Sequence, residues 1–267
     1  MNGPAGLAVL RSAYANSRVL WATTRLEMNK KYAGSALGWV WIFLHPFLFL
    51  LAYVLVFMVI FRLSLPGLTS LGYVAFVFAG LIPFLTLSEI VGQAVVTIRQ
   101  NIHLIKNVIL PLELVPLRVA AAAMLVQLAG ITLLLAIAAL DGALTWKLLL
   151  LPVLLLLASL FFAGLALLFA PLGMIMPDLA HAMGIVMNLL MFVSPIAFQR
   201  EQVPDLVKFL VDFNPVTYVI EAYRFVFLPQ HDADFFRLGI FVVLALVLFQ
   251  AGSQLLMRFK SSIVDYE

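Results

Sequence analysis

Six long apolar runs, separated by short polar or turn-forming connectors, set the plan of this chain. They cover residues 37–61, 73–98, 117–140, 146–172, 182–198 and 238–257. A helix needs about 20 residues to cross roughly 30 Å of hydrocarbon, and each run is close to or above that length. The connectors carry turn chemistry: Leu65-Pro66-Gly67 after the first run, Asp141-Gly142 after the third, and Met176-Pro177-Asp178 between the fourth and fifth. The pattern predicts an all-α integral membrane protein with six transmembrane helices in one domain, residues 1–267. With six spans both termini lie on the same side.

Two segments depart from this rhythm. Residues 202–228 are fairly apolar, yet Asn214-Pro215 cuts them into pieces too short to span, and Asp212, Glu221 and Arg224 interrupt them. A seventh span would place those charges in lipid at about 2.5–3.5 kcal/mol each on insertion scales. A re-entrant hairpin before the last helix, covered by protein on the outer side, avoids that cost. The other segment is the N-terminal arm, residues 1–36. Leu20, Trp21, Thr24, Met28 and Tyr32 share one helical face, with Arg18, Arg25, Lys30 and Lys31 largely elsewhere. That arrangement suits an interfacial helix in the headgroup layer, with Trp21 at the boundary and Arg25, Lys30 and Lys31 reaching anionic membrane lipids. The plainer alternative is a helix packed on the first span.

Composition agrees with the pattern. Of 267 residues 64% are hydrophobic and 11% charged, against about 45–50% and 25% in soluble domains, which rules out a water-soluble fold. Ten of the sixteen Lys and Arg residues (Arg11, Arg18, Arg25, Lys30, Lys31, Arg99, Lys106, Arg118, Arg258 and Lys260) fall on the side of the two termini. Basic residues favour the cytoplasm, so both termini are expected there. The net charge of +3 reflects this topology rather than a nucleic-acid surface, because the basic residues form no cluster. The first apolar run follows a long polar stretch, so the arm is expected in the mature protein.

The chemistry is mostly one of absences. With no cysteine there is no disulfide, thiolate metal site or cysteine nucleophile. No G-x-x-x-x-G-K-[ST] loop occurs, so ATP is not bound through a P-loop of this chain. His45, His103, His181 and His231 have no ligand spacing, and no HExxH, G-x-S-x-G or carboxylate pair is present. No metal, cofactor or catalytic residue is expected. Glu89 is the carboxylate well inside a span, so it faces a cavity or a partner. It lies either near a polar pathway or dimer seam, or bonded to a neighbouring helix nearer the interface. The aromatic residues, 12% of the chain, suit membrane-interface belts at Trp39, Trp41, Tyr53 and Tyr73, with Phe on lipid-facing surface. The small residues 120–123 permit close helix approach.

The strongest local signal lies between the second and third spans. Asn101-Ile102-His103-Leu104-Ile105-Lys106-Asn107 forms a short amphipathic piece, followed by Pro111 and by Pro116 at the entrance of the next helix. It reads either as a lever for a partner to grip or as a plain connector.

Five stretches in order resemble one family. They are Thr24-Arg25-Leu26-Glu27-Met28 leading through Gly38-Trp39-Val40-Trp41 to His45-Pro46; Gly80-Leu81-Ile82-Pro83-Phe84; the 101–116 loop; Pro177-Asp178-Leu179-Ala180-His181 followed by Phe192-Val193-Ser194-Pro195-Ile196; and Asn214-Pro215 with Tyr223-Arg224. Together they resemble the permease subunit of polysaccharide ABC exporters of the ABC-2 type, the O-antigen, capsule and teichoic-acid family, most like the O-antigen branch. The resemblance implies a homodimer working with two copies of a cytoplasmic ABC ATPase, which binds the ATP and Mg. A lipid-linked glycan would be moved across a bacterial inner membrane. It matches residues 99–116 to the coupling loop, with Asn101, His103, Leu104, Ile105, Lys106 and Asn107 touching the ATPase. It matches 202–228 to an outer gate bearing Asn214, Pro215, Tyr218, Glu221, Tyr223 and Arg224. The family often has Arg where Met176 stands, so an ion pair at that turn is not carried over. A drug or small-lipid exporter of the same architecture is the first alternative, and a membrane-embedded biosynthetic enzyme a remote one.

Overall fold

The computed structural model describes residues 5–107 and 110–264; the side chains at 104, 106, 107 and 261–264 lie outside the described set. The arm comprises α1 (Ala5–Ala15) and α2 (Ser17–Tyr32). The first span, Gly38–Ile60, joins a 3-10 turn, α3 (Trp41–Tyr53) and a π-helical stretch, Val54–Ile60. Then follow α4 (Ser70–Gln100), α5 (Ile102–Asn107), α6 (Leu114–Leu140), α7 (Leu151–Ile175) and α8 (Leu179–Val193). The chain closes with α9 (Lys208–Asp212), α10 (Pro215–Phe227) and α11 (Phe235–Val264).

Helix α4 is the axle of the bundle. Ala75, Ala79, Gly80 and Ala94 keep its surface slim, so α6, α7, α8 and α10 reach it from several sides. The two ends of the bundle are well defined. At one end Val9 of α1 meets Ile98 of α4, Leu112 and Val115 at the start of α6, Leu167 and Ala170 of α7, and Leu256 of α11. The first helix and the end of the last therefore share this end, here the terminal face. At the opposite face the Thr69 hydroxyl caps α4 by accepting from the Gly72 N–H and donates to Asp141 at 2.5 Å. That bond ties the start of α4 to the end of α6.

Five of the six apolar runs form helices long enough to cross a membrane, from 23 to 31 residues. The fifth run differs. Helix α8 stops at Val193 instead of continuing to 198, and its 15 residues rise about 22 Å at ~1.5 Å each. The cause is Pro195, which excludes helical geometry at the residue before it; Ser194 is extended at ψ 139. The non-helical 194–198 stretch, bent where the Ile196 N–H donates back to the Ser194 carbonyl at 2.7 Å, completes the passage to the opposite face.

Helix α4 is longer than the bilayer needs. Its 31 residues measure about 46 Å, against roughly 30 Å of hydrocarbon. Counting about 20 residues from Ser70 puts the hydrocarbon boundary on the terminal side near Glu89. The terminal ends of the long helices therefore project beyond the lipid, and the arm wraps this projecting collar. Gly6 N–H donates to Gln250 Oε1 of α11 at 3.1 Å, and Thr24, Met28 and Tyr32 of α2 are buried, with Met28 and Tyr32 packed against α6 and the first span. Trp21, expected on that face, is exposed at its edge.

Candidate functional site

Two constellations concentrate the polar chemistry, one at each end of α4. At the terminal face α4 ends at Gln100, and Asn101 closes it by donating from Nδ2 to the Thr97 carbonyl at 2.7 Å. Two residues earlier Arg99 Nη2 donates to the Gly173 carbonyl of α7 at 3.0 Å. These bonds fix the angle at which α5 leaves. Ile102 and Ile105 pack on the cluster around Val9 and Ile98, while His103 points outward and is exposed. Leu104, Lys106 and Asn107 belong to the same short helix; their side chains and residue 108 lie outside the described residues. The return to α6 is anchored by Glu113, which accepts from Lys260 Nζ of α11 at 3.1 Å. Burial pushes the Glu113 carboxyl up, but hydrogen bonding from Ser12 and the charge of Lys260 outweigh it and hold it below its ordinary value. The short amphipathic helix is thus rooted in α1, α4, α6, α7 and α11 at once.

The opposite constellation sits where α8, α10 and α4 converge. Pro215 occupies the first turn of α10, where its missing N–H is harmless. Asn214 caps this helix, accepting from Val216 N–H at 2.9 Å, and its Nδ2 donates to Ser194 Oγ at 2.9 Å. Thr217 and Tyr218 donate to the carbonyls of Val211 and Asp212, folding α9 back against α10. Of the two limbs only α10 is buried. The α9 limb exposes Leu206, Phe209 and Phe213 and is pinned by Arg200, which grips Asp212 at 2.5 and 2.6 Å.

Arg224 is the centre of this junction. It is fully buried, with Nη2 donating to the carbonyls of Pro195 and Ile196 at 2.5 and 2.9 Å. Its guanidinium lies 3.5 Å from the centroid of the Phe76 ring of α4, a cation–π contact. Glu221 sits 3.3 Å away and also meets His231 at 2.8 Å and Arg237 at 3.8 Å. Burial raises the Glu221 carboxyl, but the His231 hydrogen bond and the Arg224 and Arg237 charges prevail and hold it at about 2. Tyr223, also buried, accepts from Gln127 of α6. Tyr73 of α4 donates to the Ala197 carbonyl at 2.9 Å, and at Gly80 the α4 backbone comes close to Ile196. The structure brings four of the six proposed outer residues, Asn214, Tyr218, Glu221 and Arg224, into contact with one another or with the 194–197 segment and α9; Tyr223 reaches α6 instead, and Pro215 contributes its ring to the helix start.

Glu89 lies between these centres. It pairs with Lys31 of the arm at 2.5 Å, so the charge within the run has a partner at the hydrocarbon boundary. The pair lines a cavity of about 220 Å³ with Glu27, Lys30 and Gln93. A narrow continuation passes His45 and Thr86 toward Gln127. Sequence reasoning did not find Lys31 as the partner, nor Arg118 with Glu27, since neither pair has helical spacing. Replacing Lys31 with Glu should lower stability, and adding Glu89→Lys should restore it. A double-mutant cycle on apparent Tm is expected to give a coupling of about 0.2–1 kcal/mol, as for partly exposed pairs. A strictly additive double mutant would mean that the pair contributes nothing.

A larger cavity, about 640 Å³, opens between the first span and the 194–197 segment. Its lining is strongly aromatic, including Phe49, Tyr53, Phe57, Phe61, Phe192 and Phe198.

The family profile described as ABC-2 type transporter matches residues 18–228. The chain is 26% identical over 252 residues to the O-antigen export system permease protein RfbA of Myxococcus xanthus, covering 93% of this chain and 95% of that protein. It is 22% identical over 213 residues to the protein of the same name from Klebsiella pneumoniae, covering 79% and 80%. To the polysialic acid transport protein KpsM of Escherichia coli it is 25% identical over 233 residues, covering 83% and 85%.

Proposed function

The chain belongs to the ABC-2 type transporter family, and from that premise we propose that it is the transmembrane half of a polysaccharide exporter, with a lipid-linked O-antigen type of glycan as substrate. The observation that carries the substrate class is the end-to-end match to permeases named for O-antigen and polysialic acid transport. The chain's own chemistry supports a conduit rather than an enzyme. At the junction of α8 and α10, Asn214, Tyr218, Glu221 and Arg224 are bonded to one another, to neighbouring side chains or to backbone, and the cavity of about 640 Å³ is walled by aromatic rings on which sugar faces stack.

In this reading two copies of the chain pair in a bacterial inner membrane with both termini cytoplasmic. The first span, whose most apolar window is only 17% buried, supplies surface for the second copy. Two copies of a separate ATPase, holding ATP and Mg, dock on α5 through His103, Lys106 and their neighbours. Closure of the ATPase pushes α5; because α5 is rooted on the end of α4, the push travels along that helix. At its other end α4 carries Phe76 and Gly80, which touch Arg224 and the 194–197 segment. Movement there shifts the junction of α8 and α10 and admits the polymer.

The test is a pair of reversals on the lever, His103→Glu with Lys106→Glu. We expect co-purification of the ATPase and export of the glycan to fall at least about tenfold, the effect of ~1.4 kcal/mol at a docking contact. Arg200→Gln at the opposite face should leave ATPase association intact. Unchanged association in the lever variant would sink the assignment of α5.

A further inference from the structure

A second large cleft lies on the flank of the bundle, apart from the coupling helix and the outer junction. It measures about 470 Å³, within the roughly 300–1,000 Å³ typical of ligand clefts. Three walls form it: Trp21 and Arg25 of α2, Trp39 and Phe43 at the start of the first span, and Leu128 and Thr132 of α6.

Its position relative to the lipid follows from the ion pairs of the arm. Lys31 meets Glu89 near the hydrocarbon boundary on the terminal side, and Glu27 meets Arg118 of α6 at 3.6 Å on the same helix of the arm. Leu128 and Thr132 lie further along α6 from Arg118, about 15 and 21 Å deeper at ~1.5 Å per residue. The cleft therefore runs from headgroup level into the hydrocarbon. Trp21 and Trp39 are 59% and 52% exposed, an arrangement suited to a membrane–water boundary and costly in water.

The charge at the cleft is one-sided. Arg25 is exposed and has no ion pair among the described residues, and no carboxylate is among the residues lining the cleft. The neighbouring cavity contrasts with this, because there Lys31 is matched by Glu89. One uncompensated cation above an apolar trough fits a ligand with an anionic head and a hydrocarbon tail. A free inorganic anion would leave the trough uncovered.

We propose that this cleft holds one anionic membrane phospholipid, with its phosphate on Arg25 between Trp21 and Trp39. One acyl chain then lies along Phe43 and Leu128. The lipid fastens the arm against the sparsely covered first span.

The test uses the full-length chain in nanodiscs, with Trp41→Phe and Trp146→Phe so that Trp21 and Trp39 report alone. Dibrominated phosphatidylglycerol and dibrominated phosphatidylcholine are compared as quenchers in a phosphatidylcholine host. The anionic lipid is expected to quench with about fivefold higher apparent affinity, corresponding to the ~1 kcal/mol of one basic side chain at a lipid surface. R25Q should abolish that preference, whereas K30Q, on the same helix outside the cleft, should retain it. Thr132→Phe, which fills the trough, should weaken quenching by both lipids. Equal quenching by the two lipids overturns the proposal, as does a preference that survives R25Q. A preference lost equally in K30Q also overturns it, because diffuse surface charge would then be the cause. The readout is independent of export, so failure here leaves the proposed transport role untouched.

Discussion

A protein carrying Arg224→Met is expected to lose about 2–4 kcal/mol of stability, the largest effect of any side-chain truncation at the outer junction. Methionine matches much of the aliphatic volume of arginine but donates nothing. The carbonyls of Pro195 and Ile196, which now accept from Nη2, would be left buried without a donor at about 1–3 kcal/mol each. The Phe76 ring would also lose its cation. Opposing this loss, removing a buried cation relieves its desolvation, and Arg224 Nε has no hydrogen-bond partner. Glu221 would keep His231 and Arg237, so no carboxylate is abandoned. The two orphaned carbonyls outweigh the relief, which sets the sign. In a heating series followed by size-exclusion chromatography, the variant should lose its monodisperse peak about 5–15 °C below the wild type. Arg224→Lys keeps the charge but not the planar fork, so it should recover part of the loss. A Met variant as stable as the wild type would show that the junction is held by apolar packing alone.

How much of this was legible in the sequence depends on the range of the interactions. The apolar runs gave the helices because lipid imposes length and composition locally. Asn214-Pro215 marked the start of α10 because capping and the missing proline N–H act within two residues. Pro195 carried an equally local signal; weighing it would have ended the fifth run at Val193. The pairings were not legible. Lys31 meets Glu89 across 58 positions and Lys260 meets Glu113 across 147, and no periodicity links residues so far apart. Lys147 carries no local signal of its partners either. It donates to the carbonyls of Leu228, Pro229 and His231, the last at 2.8 Å, satisfying a chain reversal that the sequence left unexplained. Arg224 reads from its own position as a charge too costly for lipid; that its partners are backbone carbonyls follows from the non-helical bend after α8.

The crossing of α7 and α11 was equally hidden, and it carries the other large expected effect. Gly164→Leu should abolish accumulation of folded protein. A Cβ at Gly164 would lie 2.5 Å from the backbone N of Phe249 and 2.6 Å from the carbonyl carbon of Leu248. Across the contact, a Cβ at Gly252 would lie 2.4 Å from the Gly164 carbonyl oxygen. The obstacles are backbone atoms, so no rotamer change relieves the clash and the helices must separate. Separation would unpack Phe161, which rests on Phe241 with ring centroids 6.1 Å apart, and loosen the cluster that joins Leu167 to Leu256 beneath α5. Even Gly164→Ala should cost about 1–3 kcal/mol, the usual penalty of overpacking. Gly92 supplies the control. It lies inside α4 with open space where its Cβ would stand, so Gly92→Ala should be neutral or stabilise by up to about 1 kcal/mol through helix propensity. Size-exclusion yield and apparent Tm of the three variants separate the two effects. Equal tolerance of alanine at 164 and at 92 would mean that the helices do not cross at backbone contact.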